Sequence, residues 1–236
     1  MVKSQTVLFA LLLQMILPPL FQSNALAQSM PDMTDPAVAS QFMDRVNAQI
    51  KANPNDAASY VQRAMIYHML KHYNESITDC LKAIELHYPT FEVYDILAFN
   101  HALLNDWAST IKDCNAALSR NPKDFAAYAN RALAYSEKRQ YTLAMKDALM
   151  SLQLDRKQPT AYEMVGEICY KTRQYQRALD YLNRAVSMDD TMGDAFYYRG
   201  ETQNALGKQN EAYKDIARSK QLRYTPGEIS TKQMKQ

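Results

Sequence analysis

The apolar positions of this 236-residue chain recur at a fixed interval of 34 residues. The fourth position of five successive units, which begin at residues 57, 91, 125, 159 and 193, is always aromatic: Tyr60, Tyr94, Tyr128, Tyr162 and Phe196. The eighth position is always small: Ala64, Ala98, Ala132, Gly166 and Gly200. Self-similarity at one period indicates a repeat protein in which each unit packs against its neighbours.

Each unit carries two apolar stripes, one over positions 4, 8 and 11 and one over positions 17 to 28. Spacings of three, four and seven residues are those of amphipathic helices. Polar pairs at positions 14 to 16, such as Asn105 and Asp106, predict a turn between the two helices. Pro54, Pro89 and Pro122 mark the breaks between units. The pattern therefore predicts five antiparallel helical hairpins.

This period and these small and aromatic columns resemble the tetratricopeptide repeat family. The resemblance covers residues 57–226 and implies an all-α, right-handed superhelical α-solenoid of five antiparallel helix-turn-helix repeats. The expected repeats are 57–90, 91–124, 125–158, 159–192 and 193–226. The family resemblance also implies a protein-interaction scaffold whose first helices line a concave groove.

Both ends of the array differ from its middle. Residues 37–56 have the pattern of a lone second helix, with Phe42, Val46 and Ile50 as its apolar stripe, and are predicted to form an extra N-terminal capping helix. The fifth repeat is polar at core positions, with Gln203 and Gln209, as expected for a terminal unit that faces water. Residues 28–36 and 227–236 are predicted to be a flexible linker and a flexible tail.

The first 27 residues have the features of a secretory signal peptide. Lys3 precedes an apolar run from Val7 to Phe21, and Ala25-Leu26-Ala27 is a small-residue cleavage signal. Cleavage after Ala27 predicts an exported protein, periplasmic or secreted. If the segment is retained, the chain is instead a membrane-anchored interaction module. The residue directly after the cleavage site, Gln28, is not a cysteine, so no lipid anchor is expected.

The charge and the motifs argue against other functions. The chain has 27 basic and 25 acidic residues, without the excess of positive charge that nucleic-acid binding requires. It has no nucleophile elbow, no glycine-rich phosphate loop and no CxxC pair, so we expect neither an enzyme nor a cofactor. His68 and His72 have a spacing that suits a metal, but His72 falls in the predicted turn, so no metal site is expected.

The repeat register predicts how the cysteines and several charged residues pack. Cys80 and Cys114 share position 24 and Cys169 lies in another core column, so all three are expected to be free thiols. Positions 7 and 23 lie close together across a hairpin. Arginine at the first and aspartate at the second therefore predict ion pairs within repeats 1, 3 and 5: Arg63 with Asp79, Arg131 with Asp147, and Arg199 with Asp215. In repeat 2, Asp113 lies opposite Leu97 instead.

The first-helix positions that packing leaves free predict the partner-binding groove. In repeats 1 to 3 they are mainly apolar and would suit a hydrophobic peptide or helix: Val61, Met65, His68, Met69, Ile96, Phe99, Leu103, Asn130 and Leu133. In repeats 4 and 5 they are acidic and aromatic and would suit a basic segment: Glu163, Glu167, Tyr170, Asp194, Tyr197, Tyr198 and Glu201. Chaperone-binding members of the family hold a carboxylate with cations here, and those cations are missing. An alternative is an accessory subunit of an envelope enzyme complex that docks through its convex face.

Overall fold

The computed structural model describes residues 36–224, which form eleven α-helices and no β-strand. The helices are α1 (Pro36–Ala52), α2 (Ala57–Met69), α3 (Tyr73–Glu85), α4 (Glu92–Leu103), α5 (Trp107–Arg120), α6 (Phe125–Glu137), α7 (Tyr141–Leu154), α8 (Pro159–Lys171), α9 (Tyr175–Met188), α10 (Gly193–Ala205) and α11 (Gln209–Gln221). The predicted all-α repeat fold and its additional N-terminal helix are therefore confirmed.

The chain divides into two compact units. Unit 1 ends at Asn100 and unit 2 begins at His101, so that the boundary falls within α4. In unit 1, α1 packs against α2 and α2 packs against α3. The core of unit 1 contains Val61, Cys80 and Leu97, each at most 1% exposed. Ala39 and Val46 of α1 are also buried, which shows that the extra helix uses its apolar stripe for packing.

In unit 2, each helix from α5 to α11 packs against the next one along the chain. The first helices α8 and α10 of repeats 4 and 5 also contact each other directly. The core of unit 2 includes Ala132, Val165, Ile168 and Leu182, each at most 1% exposed. Because these first helices are in contact, the positions on them that are not used for packing lie next to each other.

The turn inside every hairpin uses the same backbone conformation. Position 15 has a positive φ in all five repeats: Lys71 (63°), Asn105 (59°), Arg139 (57°), Arg173 (61°) and Gly207 (77°). The next amide closes the helix end, as where the N–H of Gln140 donates to the carbonyl of Tyr135 at 2.8 Å. This is the Schellman arrangement, which usually carries glycine. Four of the five turns adopt it without glycine.

Residue sizes at positions 8 and 24 are matched within a hairpin. A Cβ placed on Gly166 of α8 would lie 2.6 Å from Leu182 Cγ of α9, and one on Gly200 would lie 2.8 Å from Ile216 Cδ1. Repeat 3 has alanine at both positions, Ala132 and Ala148, and both are fully buried. The glycines of repeats 4 and 5 therefore accommodate a larger residue on the opposite helix.

The predicted arginine–aspartate pairs are confirmed, and each pair has a third member. In repeat 3, Arg131 Nε and Nη2 donate to the two carboxylate oxygens of Asp147 at 2.6 and 2.9 Å, while Nη1 donates to Asn115 Oδ1 of the preceding helix at 2.6 Å. The same arrangement joins Asn47, Arg63 and Asp79 in unit 1, and Asn183, Arg199 and Asp215 in unit 2. The arginine thus links its own hairpin to the helix before it.

In repeat 2, a histidine pairs with the aspartate in place of the arginine. His101 Nδ1 lies 2.7 Å from Asp113 Oδ2, and both side chains are largely buried. Burial raises the pKa of Asp113, and the hydrogen bond with His101 opposes that rise. The His101 ring is therefore the partner of Asp113 that Leu97, at position 7, does not provide.

The three cysteines are buried, and none of them forms a disulfide bond, as predicted. Among residues 36–224, no helix is both long enough and apolar enough to cross a membrane. The predicted signal peptide (1–27) and C-terminal tail (227–236) lie outside the described residues, as does the predicted linker except for Pro36, which begins α1.

Candidate binding groove

Three of the residues predicted to line the groove in unit 1 belong to its core. Val61, Met65 and Ile96 are 0%, 3% and 5% exposed and pack with Ala64, Cys80 and Leu97. Their apolar side chains fill the space between neighbouring helices. In this structure they offer almost no surface to a partner.

His68, Met69 and Phe99 of unit 1 are half-buried. The His68 ring lies 5.1 Å from the Phe99 ring, and its Nδ1 lies 2.6 Å from Asn100 Oδ1. Asn100 in turn donates to Ser76 Oγ at 2.7 Å. Burial lowers the pKa of His68, and the hydrogen bond with Asn100 opposes that effect. These hydrogen bonds connect α2, α3 and α4. They give His68 a structural role.

The predicted groove residues of unit 2 are more accessible, with the exception of Glu163, which is buried. Leu103 at the end of α4 and Asn130 and Leu133 on α6 are half-buried. The others lie on α8 and α10, the two first helices in direct contact. We call the polar group on these helices the acidic–tyrosine cluster; its members are Glu163, Glu167, Tyr170, Lys171, Asp194, Tyr197, Tyr198 and Glu201.

Hydrogen bonds within the acidic–tyrosine cluster run between the two helices. The Tyr198 hydroxyl of α10 donates to Glu167 Oε1 of α8 at 2.9 Å. In the opposite direction, the Tyr170 hydroxyl of α8 donates to Glu201 Oε2 of α10 at a longer 3.5 Å. The predicted residues Glu167, Tyr170 and Glu201 are therefore brought together at one surface.

Lys171 is the basic member of the cluster. Its Nζ lies 2.6 Å from Glu167 Oε1, and 3.4 Å from both Glu137 Oε1 and Ser136 Oγ of α6. Burial would lower the pKa of Lys171, but the carboxylates of Glu167 and Glu137 outweigh it and raise the pKa. Lys171 therefore stays charged and is held by these two carboxylates.

Tyrosine rings form one side of the cluster. The ring centroids of Tyr170 and Tyr198 are 5.8 Å apart, and those of Tyr197 and Tyr198 are 5.4 Å apart in an edge-to-face arrangement. Tyr224, just after α11, continues the series at 5.3 Å from Tyr197. Burial raises the pKa of Tyr198, and the nearby Glu167 raises it further, so its hydroxyl remains a donor.

Glu163 differs from the other carboxylates of the cluster. It is 8% exposed, and no hydrogen-bond or ion-pair partner for it exists among residues 36–224. Burial raises the pKa of Glu163 well above its ordinary value, and the neighbouring charges of Asp194 and Glu167 raise it further. Burial also raises the pKa of Asp194, although its Oδ1 accepts a hydrogen bond from the Ala195 amide at 2.9 Å.

Sequence reasoning missed two participants. Lys171 lies at position 13, one of the first-helix positions that packing leaves free, so the register itself contains the signal that would have identified it. Tyr224 gives no such signal, because it lies beyond the last helix. Its contact with Tyr197 depends on how the chain folds back after α11. Within residues 36–224, no group of three His, Cys, Asp or Glu side chains is arranged to hold a metal ion.

Helical hairpins of one length that pack in chain order define a tandem-repeat protein of the α-solenoid class. Models of the tetratricopeptide repeat match residues 57–87, 114–146 and 159–191. The chain belongs to the tetratricopeptide repeat family. Its fold is that of protein–protein interaction scaffolds. Comparison with curated protein sequences gives no match.

Solved structures share this fold at low sequence identity. The chain is similar to PilW, described as a type IV pilus biogenesis factor, with a TM-score of 0.67 and 19% identity over 84% of this chain and 96% of that one. YrrB, described as having an unusual peptide-binding site, gives 0.60 and 16% over 81% and 98%. MamA from Desulfovibrio magneticus RS-1 gives 0.62 and 15% over 71% and 94%.

Proposed function

We propose that this protein is a non-enzymatic scaffold that binds a segment of another protein along the first helices of unit 2. The observation that supports this is the acidic–tyrosine cluster, which combines half-buried aromatic rings with carboxylates on the adjacent helices α8 and α10. Tyrosine is enriched at protein interfaces because it offers a large apolar ring and a polar hydroxyl. Peptide binding by the similarly folded YrrB is consistent with this use of the fold.

We further propose that the protein acts outside the cytoplasm. The proposal rests on the positive start, the short apolar run and the Ala25-Leu26-Ala27 signal. N-terminal sequencing of the protein isolated from its source is expected to begin at Gln28. A sequence beginning at Met1 would support the membrane-anchored alternative instead.

The alternative of docking through the second helices has one observation in its favour. Apolar side chains are exposed there in unit 2, with Leu143 and Leu149 on α7 at 45% and 36% and Tyr213 on α11 at 78%. Single exposed apolar residues are normal on protein surfaces. The contiguous cluster on α8 and α10 is therefore the better-supported binding surface.

Site-specific photocrosslinking distinguishes the two surfaces. The crosslinking amino acid p-benzoylphenylalanine replaces Tyr197 on α10 in one variant and Tyr213 on α11 in a matched control, each in the full chain expressed in its own cells. Both changes replace a tyrosine with another aromatic residue, which limits their effect on folding. Adducts of defined mass are expected at position 197 and not at position 213.

The opposite pattern would assign binding to the second helices and would contradict the proposed groove. Absence of adducts at both positions, with each variant folded by circular dichroism and present in the envelope fraction, would also count against the proposal. Mass spectrometry of an adduct from position 197 identifies the partner segment.

A further inference from the structure

We propose that the acidic–tyrosine cluster recognises one arginine side chain of the partner segment, an inference that rests on the proposed function. The juxtaposition that carries it is a largely buried carboxyl group without a hydrogen-bond partner, three further carboxyl groups and a set of tyrosine rings, all on α8 and α10. The partner is therefore expected to be basic at this point of contact, whatever its remaining sequence.

The charges of the cluster do not balance. Glu163, Glu167, Asp194 and Glu201 are four carboxyl groups, whereas Lys171 is the only cation in the cluster as defined. Lys171 is already shared between Glu167 and Glu137. When these carboxyl groups are ionised, an incoming cation enters an environment with excess negative charge, and partial burial makes the attraction stronger than at an open surface.

Glu163 provides an independent argument for a cationic ligand. A largely buried carboxyl group without a hydrogen bond is costly, and the charge of Lys171, which lowers the pKa of Glu163, is outweighed by burial and by the charges of Asp194 and Glu167. The other three carboxyl groups of the cluster have hydrogen-bond partners, as with Glu167 and Tyr198 at 2.9 Å. A guanidinium group would supply the hydrogen bonds that Glu163 lacks, together with a positive charge.

The tyrosine rings favour arginine over lysine. Tyr170, Tyr197 and Tyr198 lie in mutual contact beside the carboxylates. A planar guanidinium group stacks on aromatic faces while it donates two parallel hydrogen bonds to a carboxylate. Lysine offers a compact charge that cannot do both. The rings also provide an apolar surface for the methylene groups of the side chain.

Paired peptide arrays test this inference. One array carries end-blocked octapeptides of varied sequence with arginine fixed at the fifth position, and the other carries the same peptides with citrulline there. Citrulline has the shape of arginine but no charge. The full chain is expected to bind its best arginine peptides at least about tenfold more tightly than their citrulline partners in solution, since charge-assisted hydrogen bonds are the strong ones.

Glu163→Gln is expected to remove most of that preference, because it keeps the size of the side chain and removes its charge. Glu211→Gln on α11 is the matched control, since Glu211 is exposed and lies outside the cluster, and it should bind like the unchanged protein. Circular dichroism of both variants shows whether they fold. A Glu163→Gln protein that is folded but keeps the full preference would overturn the role of Glu163.

The failure of this inference differs from the failure of the proposed function. Equal binding of arginine and citrulline peptides would overturn arginine recognition and leave peptide binding in the groove intact. Tighter binding of a lysine version of the best peptides would overturn the preference for arginine. If no peptide in either array binds, arginine recognition is overturned, and the crosslinks at position 197 then decide the proposed function independently.

Discussion

The hairpins of repeats 3 and 4 have helices of the same lengths, 13 and 14 residues, and different internal chemistry. In the hairpin of α6 and α7, Arg131 pairs with Asp147 through two hydrogen bonds. In the hairpin of α8 and α9, the corresponding residues are Val165 and Tyr181. Repeat 4 instead brings its helices together through Gly166, next to Leu182. One hairpin is held by a partly buried ion pair and the other by close apolar packing.

The difference shows where repeat 4 uses its charged residues. On α8 the carboxylates Glu163 and Glu167 and the cation Lys171 belong to the acidic–tyrosine cluster rather than to the hairpin interior. Apolar packing is sufficient to hold a hairpin, because buried ion pairs gain little over well-packed apolar residues. The first helix of repeat 4 is therefore free to present charge to a partner.

Arg131→Val, which places the residue of repeat 4 into repeat 3, is the change expected to be most damaging. Asp147 would remain almost entirely buried, with a side chain 5% exposed, and without its cation. Breaking such a pair costs about 3 kcal/mol, and this corresponds to a fall in Tm of roughly 6–12 °C for a chain of this size. Thermal unfolding followed by circular dichroism measures the change.

Two companion variants test the cause. Adding Asp147→Tyr to Arg131→Val reproduces the chemistry of repeat 4 and should recover part of the lost stability. Asn115→Ala removes only the exposed hydrogen bond to Arg131 and should cost about 0.5 kcal/mol. If Arg131→Val melts like the unchanged protein, the ion pair does not hold the hairpin.

Gly166→Ala tests the apolar hairpin. The added methyl group would meet Leu182 Cγ at 2.6 Å and Cδ2 at 2.9 Å. Overpacking costs about 1–3 kcal/mol, and the higher helix propensity of alanine returns roughly 1 kcal/mol. We therefore expect a net loss of about 1 kcal/mol by urea denaturation.

The decisive comparison places Gly166→Ala in a Leu182→Ala background, which imitates the Ala132 and Ala148 pair of repeat 3. With the leucine removed, the methyl group meets only the Ala178 carbonyl oxygen, at an ordinary contact distance of 3.4 Å, and the alanine should be neutral or stabilising. An equal loss in both backgrounds would show that Leu182 is not the reason for glycine at position 166.

The sequence was sufficient to predict the hairpins and the ion pairs, because both depend on columns that recur every 34 residues. Arg63, Arg131 and Arg199 share position 7, and a hairpin places that position against position 23. The asparagines were visible in principle. Asn47, Asn115 and Asn183 precede the three arginines by the same 16 residues by which the aspartates follow them.

Other features depend on distances that a pattern does not contain. Val61, Met65 and Ile96 occupy positions that the register leaves free, but they are buried because they pack into the core of unit 1 with Ala64, Cys80 and Leu97. The left-handed turn at position 15 was not predicted either, since four of its five residues are not glycine. Burial of one particular carboxylate, Glu163, also follows only from the packed helices.

The smallest expected effect on stability concerns Glu163 and depends on pH. Because its pKa is raised in the folded state, the folded protein keeps this proton at pH values where the unfolded chain has lost it. Stability therefore falls as the pH rises above the ordinary pKa of glutamate, about 4.3, until the pH reaches the raised pKa of Glu163.

Glu163→Gln should remove this contribution, so the difference between the variant and the unchanged protein should grow in favour of the variant from pH 4 to pH 8. The cost of burying the glutamine amide without a partner does not depend on pH and offsets part of the gain. Melting curves across this range, with Glu211→Gln as the control, measure it. A difference that does not change with pH would mean that Glu163 titrates normally, and the cost of an unpaired carboxylate in repeat 4 would then be absent.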